Sequence, residues 1–105
     1  MKVFDLNKVE ANSVSVETLL ELIPVDSGNV SFGVATFSAG IRHPEQGMGC
    51  HEQHEVSYIV EGRMNIHRQQ GTTAIEPGQV VWLDANEPHA ATAIEDGKVF
   101  WVLYG

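Results

Sequence analysis

The sequence predicts an all-β domain, a small antiparallel sandwich or barrel, because turn signals and β-prone runs alternate along most of its length. Clusters of Gly, Pro, Asn and Asp recur about every eight to twelve residues, the spacing typical of such folds. Between them lie short runs rich in β-branched and aromatic residues: VSFGVATF (30–37), VSYIV (56–60), MNIH (64–67), TTAI (72–75), VVWL (80–83), ATAI (91–94) and VFWVLY (99–104). Small β proteins protect their edge strands by closing or packing their sheets.

Residues 1–29 precede these runs and are expected to hold a strand or a short helix. The segment SVETLLELI (15–23) fits both patterns. As a helix it would start at a serine cap and share one apolar face among Val16, Leu19, Leu20 and Ile23. As a strand it would alternate Leu20 and Leu22 with Glu21, and we favour the strand.

The remaining elements follow in order from the turns between them. The turn SAG (38–40) ends the run 30–37, and EG (61–62) leads VSYIV into MNIH as a hairpin. The next turns are QQG (69–71), EPG (76–78), DANEP (84–88) and EDG (95–97). The final run, VFWVLY, is apolar on both faces, and a strand of this kind requires a cover on each side.

The length of 105 residues indicates a single domain, 1–105, with its strand-forming part at about 30–104. Cys50 is the only cysteine, so an intrachain disulfide is excluded. The N-terminus has no signal-peptide pattern, and no apolar stretch approaches the roughly 20 residues of a membrane span. We therefore expect a cytoplasmic protein.

The charge of the chain argues against nucleic acid and against anionic membrane surfaces as partners. Fourteen acidic residues against six Lys and Arg give a formal net charge of −8. Phosphate-rich partners require clustered positive charge. The basic residues are instead scattered: Lys2, Lys8, Arg42, Arg63, Arg68 and Lys98.

The stretch HEQHEVSYIVEG (51–62) concentrates side chains that can bind a metal. In an extended strand His51, Gln53 and Glu55 share one face and His54 faces the other way. His89 stands at the start of a later run, and an adjacent antiparallel strand would bring it opposite His51 and Glu55.

These two segments resemble the two motifs of the cupin superfamily. HEQHEVSYIVEG is similar to the first motif, with His51 at its second histidine and Glu55 six intervening residues before Gly62. EPGQVVWLDANEPHAATA is similar to the second motif, with His89 at its histidine. The resemblance implies a double-stranded β-helix, or jelly-roll barrel. Three departures stand out. Gly49 replaces the first motif histidine, and Asp84 and Asn86 replace a proline and a glycine. The approach GIRHPEQGMG (40–49) is longer than the common pattern and carries its own histidine, His43.

The resemblance implies a metal site formed by His51, Glu55 and His89. Two imidazoles and one carboxylate are the donor set of the facial triad, which leaves coordination positions open. A divalent transition metal is expected, and Fe, Mn, Zn and Ni fit equally well. Whether the loss of a histidine at Gly49 abolishes binding, or His43 or His54 replaces it, stays open.

Four further residues are candidates for a ligand pocket: Gln53, His43, Tyr58 and Trp82. By parity His54 is expected at the surface, as is His67, which alternates with Met64 and Ile66. Cys50 is expected to be structural, because a nucleophilic thiolate requires an adjacent base on the same side.

Two functions remain open at this stage. The first is a metal-dependent enzyme, an isomerase, lyase or dioxygenase, acting on a small carbonyl, carboxylate or sugar-acid molecule. The second is a non-catalytic module that binds or senses a small ligand, with or without metal. The resemblance further implies a homodimer.

Overall fold

The structure of the chain is a computed structural model that describes residues 1–8, 20 and 29–105. In this part of the chain, strands are the dominant element, together with one 3-10 helix at Leu6–Lys8. The strands, in chain order, are β1 (Lys2–Asp5), β2 (Val30–Phe37), β3 (Arg42–His43), β4 (His54–Glu61), β5 (Met64–Arg68), β6 (Gly71–Ile75), β7 (Gln79–Leu83), β8 (His89–Ala93) and β9 (Gly97–Tyr104).

The strands form two antiparallel sheets. The five-stranded sheet has the order β1-β7-β4-β9-β2, and the four-stranded sheet has the order β3-β8-β5-β6. Strands β4 and β9 pair along most of their length, with Glu55 opposite Leu103 and Ser57 opposite Trp101. The two sheets pack face to face as a jelly-roll sandwich, which confirms the all-β prediction.

Gly62 makes the turn between β4 and β5, and its position requires glycine. Its φ is +74°, a conformation that L side chains rarely adopt. A Cβ at this position would lie 2.4 Å from the carbonyl oxygen of Asp96. The chain crosses here from the five-stranded to the four-stranded sheet, so Gly62 fixes how the strand bearing Glu55 enters the sandwich.

The core lies between the sheets and is built from alternate residues of both. Its buried members are Ile59, Met64, Ile66, Ile75, Val81, Leu83 and Val99. Val81 and Leu83 flank Trp82 on β7, so the period of two that defines a half-buried strand sends the indole to the opposite face. The packing of this core fixes the positions of strands β4 and β8, which carry residues of the candidate site.

The expected runs are confirmed as strands from residue 30 onward, within one or two residues at each end. Strands β1 and β3 were not among the runs singled out in the sequence. The segment 15–23, expected to be a strand, lies outside the described residues except for Leu20. Within residues 1–8, 20 and 29–105, no helix has the length and hydropathy that crossing a membrane requires.

Candidate metal centre

His51 lies in the bend that precedes β4, and a backbone carbonyl orients its ring. Nδ1 is 2.8 Å from the carbonyl oxygen of Gln53. A carbonyl only accepts, so Nδ1–H is the donor and the lone pair of the neutral ring lies on Nε2. Nε2 is 3.1 Å from Oε1 of Glu55. The loop therefore presents His51 to the site through Nε2.

Glu55, the second residue of β4, points into the sandwich from the five-stranded sheet. Its Oε2 accepts a hydrogen bond of 2.8 Å from the hydroxyl of Ser57, which is 5% exposed. Ser57 lies on the same face of β4 two residues further on, as the strand period requires. This bond occupies one carboxylate oxygen and leaves Oε1 directed at the imidazoles.

His89, the first residue of β8, reaches the same point from the four-stranded sheet. Its Nδ1 is 2.8 Å from the carbonyl oxygen of Glu87, and its Nε2 is 3.9 Å from Oε1 of Glu55. The backbone of His89 exchanges two hydrogen bonds with Gly49, of 2.9 and 3.0 Å. His89 is thus oriented in the same way as His51, with Nε2 facing inward.

Glu87 stabilises the turn from which His89 projects. Its Oε2 accepts the backbone N–H of Asp84 at 3.0 Å, and its Oε1 pairs with Arg68 of β5. Burial on its own would raise the pKa of Glu87. The Asp84 N–H, the N-terminal ammonium group and Arg68 outweigh it and hold this pKa below its ordinary value of 4.5.

The three side chains meet closely enough to share one cation. One ligand atom from each lies within 4.8 Å of the others. The rings of His51 and His89 have centroids 5.3 Å apart and meet edge to face at 77°. The side chains of His51, His89 and Glu55 are 27%, 18% and 20% exposed, respectively. The site is therefore mostly buried, but solvent still has access to it.

The donor chemistry fits a divalent transition metal. Both imidazoles donate Nδ1–H to a carbonyl, an outer-shell contact that is usual for metal-binding histidines because it fixes the tautomer. The two Nε2 lone pairs and the carboxylate oxygen then point to one place, where all three could coordinate a single cation. Two imidazoles and one carboxylate would leave coordination positions open to a bound molecule.

A cavity of about 400 Å³ lies between the sheets, and these three residues form part of its lining. Most of its wall is apolar, and both sheets contribute to it. Besides the three candidate ligands, its lining includes Phe37, Ile59, Ile66, Leu83, Trp101 and Leu103. Small-molecule sites typically combine such an apolar wall with a few convergent polar groups.

Two of the pocket candidates, Tyr58 and Trp82, need correction because neither lies along the wall of this cavity. Trp82 lies on the outer face of the five-stranded sheet, where its ring stacks on His54 with centroids 5.8 Å apart. Its indole N–H donates to the hydroxyl of Tyr104. Tyr58 alternates with Ser57 and Ile59, which line the cavity, so the strand period turns it outward too.

Gln53 needs correction for a different reason. The expectation placed it on the face of His51 and Glu55, which assumes an extended chain. The chain bends at residues 52–53, so parity does not apply there. Gln53 instead supplies the carbonyl that orients His51, and its side chain is not part of the cavity lining.

The other histidines lie where their strands place them. His43 of β3 lines the cavity but lies outside the group of three, whereas His54 faces outward, with Nδ1 3.0 Å from Oδ1 of Asp84. His67 lies on the outer side of the four-stranded sheet. Its two ring nitrogens form hydrogen bonds with the hydroxyls of Thr72 and Thr92. Cys50 is exposed and free, at the rim of the cavity.

Trp101 is one of the cavity residues that the pocket candidates from the sequence did not include. It lines the wall between Val99 and Leu103, and it packs against Gly33 of the neighbouring strand. A Cβ on Gly33 would lie 2.7 Å from the indole, so the glycine makes room for it. Alternation along β9 groups Trp101 with Val99 and Leu103, but only the pairing of Leu103 with Glu55 shows that this face of β9 lines the cavity.

Comparison with known proteins identifies a family. The profile of the Cupin domain matches residues 36–104, most of the chain. No curated protein matches it in sequence.

Solved structures similar to this chain share its fold. An RmlC-like cupin from Shewanella frigidimarina has 18% identity and a TM-score of 0.63, over 71% of this chain and 65% of its own. A protein of unknown function from Streptococcus pyogenes has 20% identity and a TM-score of 0.63, over 88% and 90%. An ectoine synthase from P. lautus has 25% identity and a TM-score of 0.61, over 70% and 52%. The chain therefore spans only about half to two thirds of the first and third of these.

Proposed function

Because the chain belongs to the Cupin domain family, we propose that it binds a divalent transition metal through His51, Glu55 and His89 and acts on a small organic molecule beside it. The observation that carries this proposal is the convergence of three ligand atoms within 4.8 Å in the lining of a largely apolar cavity. Fe, Mn, Zn and Ni all accept this donor set.

When bound, such a metal supplies Lewis acidity toward an oxygen of the molecule in the cavity. The side chains supply the rest of the site. Ser57 holds the Glu55 carboxylate in place, and the carbonyls of Gln53 and Glu87 hold the two rings. The apolar wall excludes water from the bound molecule, which strengthens polar interactions inside the cavity.

A proton acceptor for catalysis would have to come from the cavity lining. Three residues near the candidate ligands in the sequence carry side chains that can act as bases: Glu52, His54 and His43. His54 lies on the outer face of its sheet, and Glu52 is exposed and not part of the lining. His43 is the one of the three that lines the cavity. We assign to it the role of proton acceptor in the catalytic form of the proposal.

Metal analysis of the purified protein tests the metal site. We expect about one equivalent of a transition metal by mass spectrometry, lost in His51→Ala and in His89→Ala because each removes one of three ligands. His67→Ala is the matched control, since its ring contacts threonine hydroxyls on the other side of the fold. Metal retained in both ligand variants, or absent from the folded unmodified protein, would refute the site.

A non-catalytic binding module is the second candidate. It is favoured by the scarcity of acid–base groups in the described wall, where His43 and Cys50 are the titratable side chains beyond the three candidate ligands. The two candidates differ in His43→Ala. For an enzyme this variant should keep its metal and lose turnover of a carbonyl substrate. For a binding module, His43→Ala should change only the affinity for the small ligand, because the unmodified protein has no turnover.

The expected homodimer and cytoplasmic location are kept as part of the proposal. Exposed apolar side chains on β2 support pairing with a second copy of the chain: Val30, Phe32 and Val34 are 74%, 71% and 58% exposed. The free and exposed Cys50 fits a reducing compartment.

A further inference from the structure

We infer that the molecule bound in this cavity is largely apolar, with one metal-chelating oxygen group and no second anionic group. This inference rests on the proposed metal site and narrows its substrate class. Of the carbonyl, carboxylate and sugar-acid molecules expected from the sequence, it selects apolar ketones, enols and related chelating compounds.

The wall of the cavity offers a bound molecule mainly carbon atoms. Aromatic and aliphatic side chains face it from both sheets, with Phe37 and Trp101 from one and Met64 and Ile66 from the other. Among the described residues, the polar side chains in the lining beyond the histidines and Glu55 are Ser57 and Cys50, and the Ser57 hydroxyl is already donated to Glu55. A polyhydroxylated molecule would therefore leave its hydroxyls without partners, which is costly in a buried site.

The whole chain has no lysine or arginine to offer an anion in this cavity. All six such residues lie within the described part, and none lines the wall. Arg63 pairs with Glu95 and Arg68 with Glu87, while the guanidinium of Arg42 donates to the carbonyl of Pro44. Lys2 lies over the outward ring of Trp82. Residues 9–19 and 21–28 contain neither lysine nor arginine, so no conformation of theirs changes this count.

The charge balance of the site favours the same class of bound molecule, one with a single anionic group. A divalent cation and the Glu55 carboxylate together carry one net positive charge, which one enolate or carboxylate oxygen group would neutralise. A second carboxylate or a phosphate would be buried beside residues such as Ile66 and Leu103 without a cation. Burying an unpaired charge costs several kcal/mol even after relaxation.

Three hydroxamic acids with the same chelating head test this inference. Acetohydroxamic acid presents the head alone, octanohydroxamic acid adds an alkyl chain, and the monohydroxamate of suberic acid ends a chain of similar length in a carboxylate. Affinities are measured by calorimetry at pH 8 on protein loaded with Co²⁺. We expect octanohydroxamic acid to bind at least about tenfold more tightly than acetohydroxamic acid, because its methylene groups are buried. We expect the carboxylate-ended compound to bind at least about tenfold more weakly than octanohydroxamic acid.

A charge added to the wall should change this order. Ala35 lines the cavity from β2 and is half-buried, so Ala35→Arg places a cation at the wall and should bring the carboxylate-ended compound to at least the affinity of octanohydroxamic acid. Thr36→Arg is the matched control, because the next residue of the strand is exposed and faces away from the cavity. It should leave the order of affinities unchanged.

The outcomes separate this inference from the metal proposal. Equal or tighter binding of the carboxylate-ended compound by the unmodified protein would overturn the inference while leaving the metal site intact. The same three compounds are also titrated into metal-free protein, where the wall alone should give the same order at lower affinity. Protein that binds no metal but keeps this order would refute the proposed site and support the inference. An Ala35→Arg variant that does not fold leaves the decision to the unmodified protein.

Discussion

At the scale of single residues, the orientation of the two histidines is the most informative feature of the site. Each ring is held through Nδ1 by a backbone carbonyl two residues away along the chain, Gln53 for His51 and Glu87 for His89. Both rings therefore present Nε2 to the same carboxylate oxygen. Such pre-orientation lowers the entropy lost when a ligand shell closes around a metal.

Gly49 permits a direct test of the missing fourth ligand. It lines the cavity and is bridged to His89, and a Cβ on it would find Pro44 no closer than 3.9 Å. We expect Gly49→His to tighten Co²⁺ binding by at least about tenfold, the lower end of what changes around a ligand shell produce. The new imidazole should also weaken hydroxamate binding, since it occupies an open coordination position.

Competition of Co²⁺ with a chromogenic chelator measures the first effect. Met48→His is the control, since it adds an imidazole to the same loop at an exposed position that does not line the cavity. An unchanged Co²⁺ affinity in folded Gly49→His protein would show that this position is not directed at the site.

At the scale of elements, the turn at 84–88 decides where His89 lies. Asn86 adopts φ +60° in it, at the position where the cupin motif has glycine. Asparagine tolerates this left-handed conformation better than other residues with a side chain. Its backbone N–H donates to the carbonyl of His51 at 2.7 Å, so the turn also ties the two histidine-bearing segments together.

The stability of variants at Asn86 should depend on how much the left-handed conformation costs the new residue. We expect Asn86→Ala to lower the free energy of unfolding by about 1 kcal/mol, because alanine adopts the left-handed region at greater cost. Asn86→Gly should lie within about 0.5 kcal/mol of the unmodified protein, since glycine loses more entropy on folding but carries no strain. Urea denaturation followed by tryptophan fluorescence measures both. If Asn86→Gly loses as much stability as Asn86→Ala, the asparagine side chain stabilises the turn by its own contacts, and the cost of positive φ is not the cause.

At the scale of the whole molecule, the outer face of β2 is the most apolar surface that the described residues leave exposed. Phe32 is 71% exposed and packs on Phe100 of β9, itself 39% exposed, with ring centroids 5.9 Å apart. An exposed apolar patch on an edge strand marks a surface for association. This face lies opposite the cavity side of the same sheet.

We expect Phe32→Asp to convert a dimer into a monomer, because it places a charge in the apolar patch that a second copy would bury. Sedimentation velocity over a range of concentrations measures the mass. Ala74→Asp is the control, since it adds the same charge to an exposed position of the other sheet. A monomeric unmodified protein, or an unchanged dimer in Phe32→Asp, would contradict the expectation.

Much of this architecture could be predicted because strand patterns are local. Parity correctly placed Glu55, Ser57 and Ile59 on one face of β4 and His54 on the other, since side chains alternate along any regular strand. It failed for Gln53, where the chain bends. For Trp82 the expectation of a pocket residue ignored its alternation with the buried Val81 and Leu83, which turns the indole to the opposite face.

The sequence by itself determined the β-rich pattern, the residue types of the donor set and the scarcity of cations, because each is a property of composition or of a few neighbouring residues. Only the tertiary structure decided that His89 lies with its ring centroid 5.3 Å from that of His51, and that Trp101 lines the cavity while Trp82 does not. These placements depend on strand pairing and sheet packing between distant segments, since His51 and His89 are 38 positions apart in the chain. Turns and core packing fix such pairings jointly, and no local pattern encodes them.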